Sequence, residues 1–342
     1  MKVLIIKTSS MGDVIHTLPA LTDAGCVIPG ITFDWVVEES FSEIPEWHPL
    51  VNAVIPIAWR RWRKNIFSKK TFQEFSAFCR RLRSTQYDLI IDAQGLLKSA
   101  ALTLIAKGFS AGWNGRCARD PLASLFYQKR FDAAKRKEQH AVTRIRALFS
   151  KALGYATPTS LADYGIDRFR FERSGETPYL VFLHGTTWGT KHWPEAYWIQ
   201  LATIASARGF SVKIGWGNEG EHQCAKRIAS ACSAVEVLPR KSIADMAAVL
   251  AHATSIVAVD TGLCHLAAAL DVPTVSLYGP TDPTLSGAMG KSQVHLRAKF
   301  PCAPCLSRDC TYPGRESMTP QPPCFGTLPP EKVWAAVMTL AR

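Results

Sequence analysis

Short apolar runs alternate with helically spaced apolar positions along nearly the whole chain. In the first half "VLII", "FDWVV", "AVIPI" and "YDLIID" read as buried strands, separated by stretches with helical periodicity. In the second half "PYLVFLHG", "SVKIGWG", "VEVLP", "SIVAVD" and "PTVSLYG" repeat the pattern. Strand-then-helix grammar, twice over, predicts an α/β fold of two Rossmann-like, doubly wound domains with parallel sheets. Between the halves "YGIDRFRFERSGETP", Tyr164 to Pro178, breaks the periodicity with Gly, Pro and charge. The expected division is a first domain over 1–165, a linker over 166–178 and a second domain over 179–330. From Lys299 to Pro330 the pattern lapses into a Pro- and Cys-rich loop. An amphipathic helix, Glu331 to Leu340, follows in a closing segment, 331–342, able to pack back on the body.

Composition agrees with this picture. A chain of 342 residues exceeds one ordinary core, and 47% hydrophobic with 20% charged residues is the balance of a soluble globular protein. The longest apolar stretches, near Ala100 to Ala106 and Ser255 to Val259, fall far short of a membrane span. The N-terminus does not read as a secretory signal, so a cytoplasmic chain is expected, with its ten cysteines reduced. The net charge of +12 points to an anionic partner: nucleic acid, phospholipid headgroups or a phosphorylated substrate.

Open parallel sheets bind ligands at the carboxyl ends of their strands, and two such domains facing each other would form a cleft. The candidate chemistry sits at such ends. In "IKTSSMGDVIHTLPAL", Asp13 follows the first strand where a helix begins. It can cap that helix, or it can act as a general base toward a hydroxyl nucleophile. His16, one turn further, reads as structural. In "AVDTGLCHLAAAL" a strand ends at Asp260, and Thr261 and Gly262 open a helix whose N–H groups favour an anion, with His265 on its first turn. In "LHGTTWGTKHWPEAYW", Thr186, Thr187 and Lys191 offer two hydroxyls and a cation to a diphosphate. "GWGNEG", Gly215 to Gly220, matches G-x-G-x-x-G but is not in the first βα unit of its domain. The next strand, "VEVLP", also lacks the terminal acid of a dinucleotide site. Glu221, just behind, suits ribose hydroxyls instead.

"AWRRWRKNIFSKK", Ala58 to Lys70, carries Arg60, Arg61, Arg63, Lys64, Lys69 and Lys70 and no acid. It is either a solvated basic loop or, with two interleaved tryptophans and an arginine bias, an anion-binding surface. No nucleic-acid-binding signature accompanies it. Cys302-x2-Cys305-x4-Cys310-x13-Cys324 could hold a zinc or a cluster, yet it lacks the two paired C-x2-C knuckles of a zinc ribbon; reduced loop cysteines are the other reading. No D-x-D pair occurs, so neither a bridging metal nor any cofactor is expected.

Three blocks, "TSSMGDVIHTLPAL", "FLHGTTWGTKHWP" and "VDTGLCHLAAALDVPTVSLYGPTDP", resemble the signature segments of the ADP-heptose:lipopolysaccharide heptosyltransferases, those of type I in particular. The resemblance runs from residue 1 to about Pro283; the cysteine-rich segment departs from the type I pattern. It implies a GT-B fold and metal-independent transfer of L-glycero-D-manno-heptose from ADP-heptose to the first Kdo of Kdo2-lipid A, with inversion, in lipopolysaccharide inner-core synthesis. It implies Asp13 as base, Thr186, Thr187, Lys191, Thr261 and Gly262 on the diphosphate, and Glu221 on the nucleoside. Asp260 and His265 fall in the donor motif. Arg60, Arg61, Arg63 and Lys64 match the acceptor surface on the N-terminal domain. With such an acceptor the enzyme is expected on the cytoplasmic face of the inner membrane, as a peripheral protein touching an anionic surface. Other readings are a heptosyltransferase adding the second inner-core heptose, a nucleotide-sugar epimerase and a nucleic-acid-binding module.

Overall fold

The run "VLII" lies in β1 (Lys2–Ile6), where Val3 to Ile6 are wholly buried, as a central strand covered on both faces requires. In the computed structural model, which describes residues 1–134, 138–171 and 178–340, β1 belongs to the first of two compact units, Met1–Ile166 and Asp167–Arg342.

The first unit holds β1, β2 (Thr32–Glu38), β3 (Val51–Ile57), β4 (Gln86–Asp92), β5 (Lys107–Trp113) and β6 (Lys129–Phe131). They form one parallel sheet in the order β3-β2-β1-β4-β5-β6. The order reverses between β1 and β4, so the loops leaving those two strands flank the crevice where such sheets bind ligands. One face packs Leu4, Ile6, Ile55, Ile57 and Ile90 against Trp62, Phe78, Leu82 and Leu102 of the covering helices.

The second unit holds β7 (Tyr179–Leu183), β8 (Ser211–Ile214), β9 (Val235–Val237), β10 (Ser255–Val259), β11 (Thr274–Tyr278) and β12 (Gln293–Arg297). The sheet order β12-β11-β10-β7-β8-β9 is the same winding, reversing between β7 and β10. The closing helix, Pro330–Leu340, presents Val333, Trp334 and Val337 to this unit's core beside Trp198 and Leu201. Each such side chain, fully buried, contributes about 1.5–3 kcal/mol.

Three strands escape the apolar pattern. β5, "KGFSAGW", is broken by Gly and Ser; Gly112 lies against the Tyr127 ring, where a Cβ would overlap it. β6 has three residues, and β12, "QVHLR", is a half-buried edge strand of mixed polarity. Of the expected linker, 172–177 lies outside the described residues. Before it, Asp167 caps the turn Arg168–Arg170. Phe171 is buried, its carbonyl accepting from His252 Nε2 at 2.7 Å, which ties this stretch to the second unit. Lys299 to Pro329 runs without strands, broken only by the turns Arg315–Ser317 and Pro323–Thr327.

Candidate active site

In the first unit β1 delivers Lys7 to Ser10 and then the short helix Met11–Ile15. Asp13 Oδ2 accepts from both the backbone N–H and the hydroxyl of Ser10, each at 3.0 Å. The carboxylate therefore does cap its helix. Its second oxygen, Oδ1, lies 3.6 Å from Lys7 Nζ, and 34% of the side chain stays open. Burial by itself would raise the carboxyl, but Lys7, the two Ser10 bonds and His16 outweigh it and hold Asp13 well below the usual carboxylate range. Asp13 is thus a held, ionised carboxylate, with Oδ2 on Ser10 and Oδ1 facing Lys7. His16 is buried edge-to-face on His140, ring centroids 5.9 Å apart, a packed position that fits its structural reading.

The loop leaving β4 locks this arrangement. Gln94 Oε1 accepts from Thr8 N at 3.1 Å and Ser9 N at 3.2 Å. Lys7 Nζ donates to Ala93 O at 3.0 Å. Beneath them Asp92, fully buried, accepts from Gln94 N, Gly95 N, Ser99 Oγ and Tyr127 OH at 2.7 to 3.1 Å. Burial pushes its carboxyl up, against the pull of those four donors.

The basic run forms the helix Trp59–Trp62, the turn after it and the start of the helix Lys69–Arg83. Its two tryptophans, interleaved with the arginines, pack away from them. They turn inward onto Phe75 and Phe78, with centroid distances of 5.8 to 6.2 Å. Arg60, Arg61, Arg63 and Lys64 are exposed. Arg61 is bound to Glu39 at 2.9 Å and Glu74 at 2.6 Å, acids distant in sequence that neutralise it. Arg60 lies over the Phe41 ring.

In the second unit the loops leaving β7 and β10 meet. Lys191 Nζ pairs with Asp260 Oδ2 at 2.7 Å, and His265 Nε2 stands 3.9 Å from Oδ1 of the same carboxylate. Thr186 Oγ1 donates to Asp260 O at 3.3 Å. Thr261 precedes the helix Gly262–Ala269, whose N-terminal amides open beside this cluster. Thr187 is exposed on the loop. Glu221 Oε2 accepts from Gly217 N at 2.7 Å, so an amide of the "GWGNEG" loop is already taken by an anion of the chain itself. The carboxylate lies against Gly185, where a Cβ would come within 2.5 Å of it and push the end of the Glu221 side chain aside. Thr186, Lys191, Glu221, Asp260 and His265 are thereby gathered at the carboxyl edge of one sheet.

A family model described as glycosyltransferase family 9 (heptosyltransferase) matches residues 75–315. The chain belongs to this family. Among its relatives the lipopolysaccharide heptosyltransferase 1 of Pseudomonas aeruginosa is 56% identical, over 97% of this chain and 96% of that protein. That of Escherichia coli K12 is 52% identical, over 87% and 94%. The structure of E. coli heptosyltransferase WaaC with ADP superposes with a TM-score of 0.83 at 52% identity, covering 87% of this chain and 93% of that one. WaaC with ADP-2-deoxy-2-fluoro heptose gives 0.80 at 51%. This family 9 glycosyltransferase therefore has the GT-B fold of two doubly wound units, and neither the epimerase nor the nucleic-acid reading is favoured.

Three residues of this heptosyltransferase's first unit escaped the sequence reading as site elements: Lys7, Asp92 and Gln94. The available signal was "YDLIIDAQG", a buried strand ending in an acid and an amide, beside "VLIIKTSSMGD" at the switch point. In the second unit Cys302 and Cys305 are exposed, Cys310 is half-buried and Cys324 buried, all as free thiols. Burial, then the neighbouring Cys302, Cys305 and Cys310, push the Cys324 thiol up to about 12. Among the described residues no three Cys, His, Asp or Glu side chains are placed to hold a metal ion, and no helix is long and apolar enough to cross a membrane.

Proposed function

We propose that this enzyme is a lipopolysaccharide heptosyltransferase 1, transferring L-glycero-D-manno-heptose from ADP-heptose to the first Kdo of Kdo2-lipid A with inversion. The observation that carries the proposal is the 56% identity to a protein of that name over 97% of the chain. The ADP and ADP-sugar analogue held by the WaaC structures support a nucleotide-heptose donor.

In this reading the first domain takes the acceptor and the second takes the donor. The acceptor hydroxyl gives its proton to Asp13 Oδ1 as its oxygen bonds to the anomeric carbon. The bond from that carbon to the diphosphate oxygen breaks, and ADP leaves. One carboxylate suffices, because a single displacement has one proton to remove. Lys7 and Ser10 keep Asp13 ionised and oriented. Charge arriving on ADP falls on Lys191, on the hydroxyls of Thr186 and Thr187, and on the amides at Thr261 and Gly262, with Asp260 and His265 orienting Lys191. Glu221 receives the ribose hydroxyls. The exposed Arg60, Arg63 and Lys64 meet Kdo carboxylates and lipid A phosphates, and they hold the enzyme at an anionic membrane face, each cation contributing about 1 kcal/mol there.

The test offers Kdo2-lipid A and its singly heptosylated product separately, with ADP-heptose, with and without EDTA, and reads products by mass spectrometry. One heptose added to Kdo2-lipid A, insensitive to EDTA, is expected. Transfer only to the heptosylated acceptor would make this the second-heptose enzyme, and loss of transfer in EDTA would overturn the metal-free leaving-group role.

A further inference from the structure

The cysteine-rich loop is seated on the β7 loop. Thr190 Oγ1 donates to Ser307 O at 2.6 Å and approaches Arg308 O at 3.3 Å. On the far side Leu306 N donates to Pro280 O at 2.8 Å. These contacts bring the exposed Arg308 beside Trp188, in the middle of the segment that carries Thr186, Thr187 and Lys191. Arg308 Cζ stands 5.4 Å from the Trp188 ring centroid and Lys191 Nζ 4.5 Å from the same centroid. The two cations are therefore at most about 10 Å apart, within the Debye length at 0.1 M salt.

Lys191 is already paired with Asp260 at 2.7 Å. The pair is close to neutral as a unit, whereas a nucleoside diphosphate is multiply anionic. Arg308 pairs with no carboxylate among the described residues, and its ring contact leaves its guanidinium donors open. A guanidinium fork binds phosphate oxygens bidentately. We infer that Arg308, carried in by the cysteine-rich loop, is a second cation of the donor-diphosphate site. This rests on the assignment of that site to ADP-heptose. The loop outside the family-like blocks thereby acquires a role, since Thr190, Ser307 and Leu306 hold Arg308 at the leaving group.

The experiment measures affinity for ADP by calorimetry, and for adenosine by competition with ADP, in Arg308→Ala, Arg308→Lys and Lys191→Ala of the full chain. Arg308→Ala is expected to weaken ADP roughly tenfold or more, the scale of a bond between charged groups. Adenosine should stay within twofold, and Arg308→Lys should keep part of the ADP affinity as a point charge without the fork. Equal weakening of ADP and adenosine would overturn the inference, because Arg308 would then only brace the loop. Unchanged ADP affinity in Arg308→Ala, with a loss in Lys191→Ala, would overturn it while leaving the donor site intact. Unchanged affinity in both would remove the donor-site assignment itself, and Arg308's role with it.

Discussion

Replacing Lys7 by Met removes one charge from beside Asp13 with little change of shape. Lys7 is 5% exposed, with Nζ 3.6 Å from Asp13 Oδ1. Two unit charges about 4 Å apart interact by about 4 kcal/mol at an effective dielectric of 20. About a third of the Asp13 side chain meets solvent, and screening reduces this to about 1–2 kcal/mol. One pKa unit is worth about 1.4 kcal/mol, so the carboxyl should rise by about one unit. In the wild type Asp13 is held below the ordinary range. A base must be ionised, so the acid limb of kcat/KM should lie below about pH 4 in the wild type and move upward by about one unit in Lys7→Met. Stability follows the same sign. A depressed carboxyl contributes above its unfolded pKa and loses that contribution as pH falls through the folded one. Any deficit of the variant in urea should therefore shrink below about pH 4. The assay is the Asp13 carboxyl titration followed by NMR, with kcat/KM beside it, both carried from pH 8 down to the lowest pH at which the protein stays folded, and Lys7→Arg is expected to keep the limb low. A limb that stays in place in Lys7→Met would refute the electrostatic role.

Gln94→Ala leaves the Thr8 and Ser9 amides without their acceptor, and each orphaned buried donor costs about 1–3 kcal/mol. It should lower kcat with little change in ADP affinity, and Gln94→Glu, which can still accept, should recover much of the rate. Gly185→Ala drives a methyl into the Glu221 carboxylate and should weaken ADP binding measured by calorimetry. Serine at Arg60, Arg63 and Lys64 together should raise the KM for lipid acceptor and reduce liposome binding, with ADP-heptose affinity within a few-fold. Arg61→Ser breaks two ion pairs and should act mainly on the helix Trp59–Trp62.

Legibility in the sequence followed distance along the chain. Asp13 was readable as a helix cap because strand, turn and acid are contiguous: one oxygen takes both Ser10 bonds, and the other faces Lys7. The Lys191–Asp260 pair was not readable from the residues, because it depends on β7 lying beside β10, a fact of sheet order. The packing of the basic run was hidden for a related reason. Its spacing does not reveal that Trp59 and Trp62 turn inward, or that Glu39 and Glu74 arrive from other elements to neutralise Arg61. Strands such as β5 escaped because close packing against Tyr127 replaced an apolar side chain with glycine. The Arg308 contact was hidden because the loop bearing it has no periodicity to read.

The most direct test of the account is the rate at which Asp13→Ala converts ADP-heptose and Kdo2-lipid A to the singly heptosylated product, followed by mass spectrometry beside the wild type, with ADP affinity measured on both. The wild type should form the product, and the variant should form it slower by roughly 10²-fold or more at nearly unchanged ADP affinity. A variant turning over at close to the wild-type rate would leave Asp13 as a helix cap alone, and a wild type that forms no such product would contradict the proposed reaction.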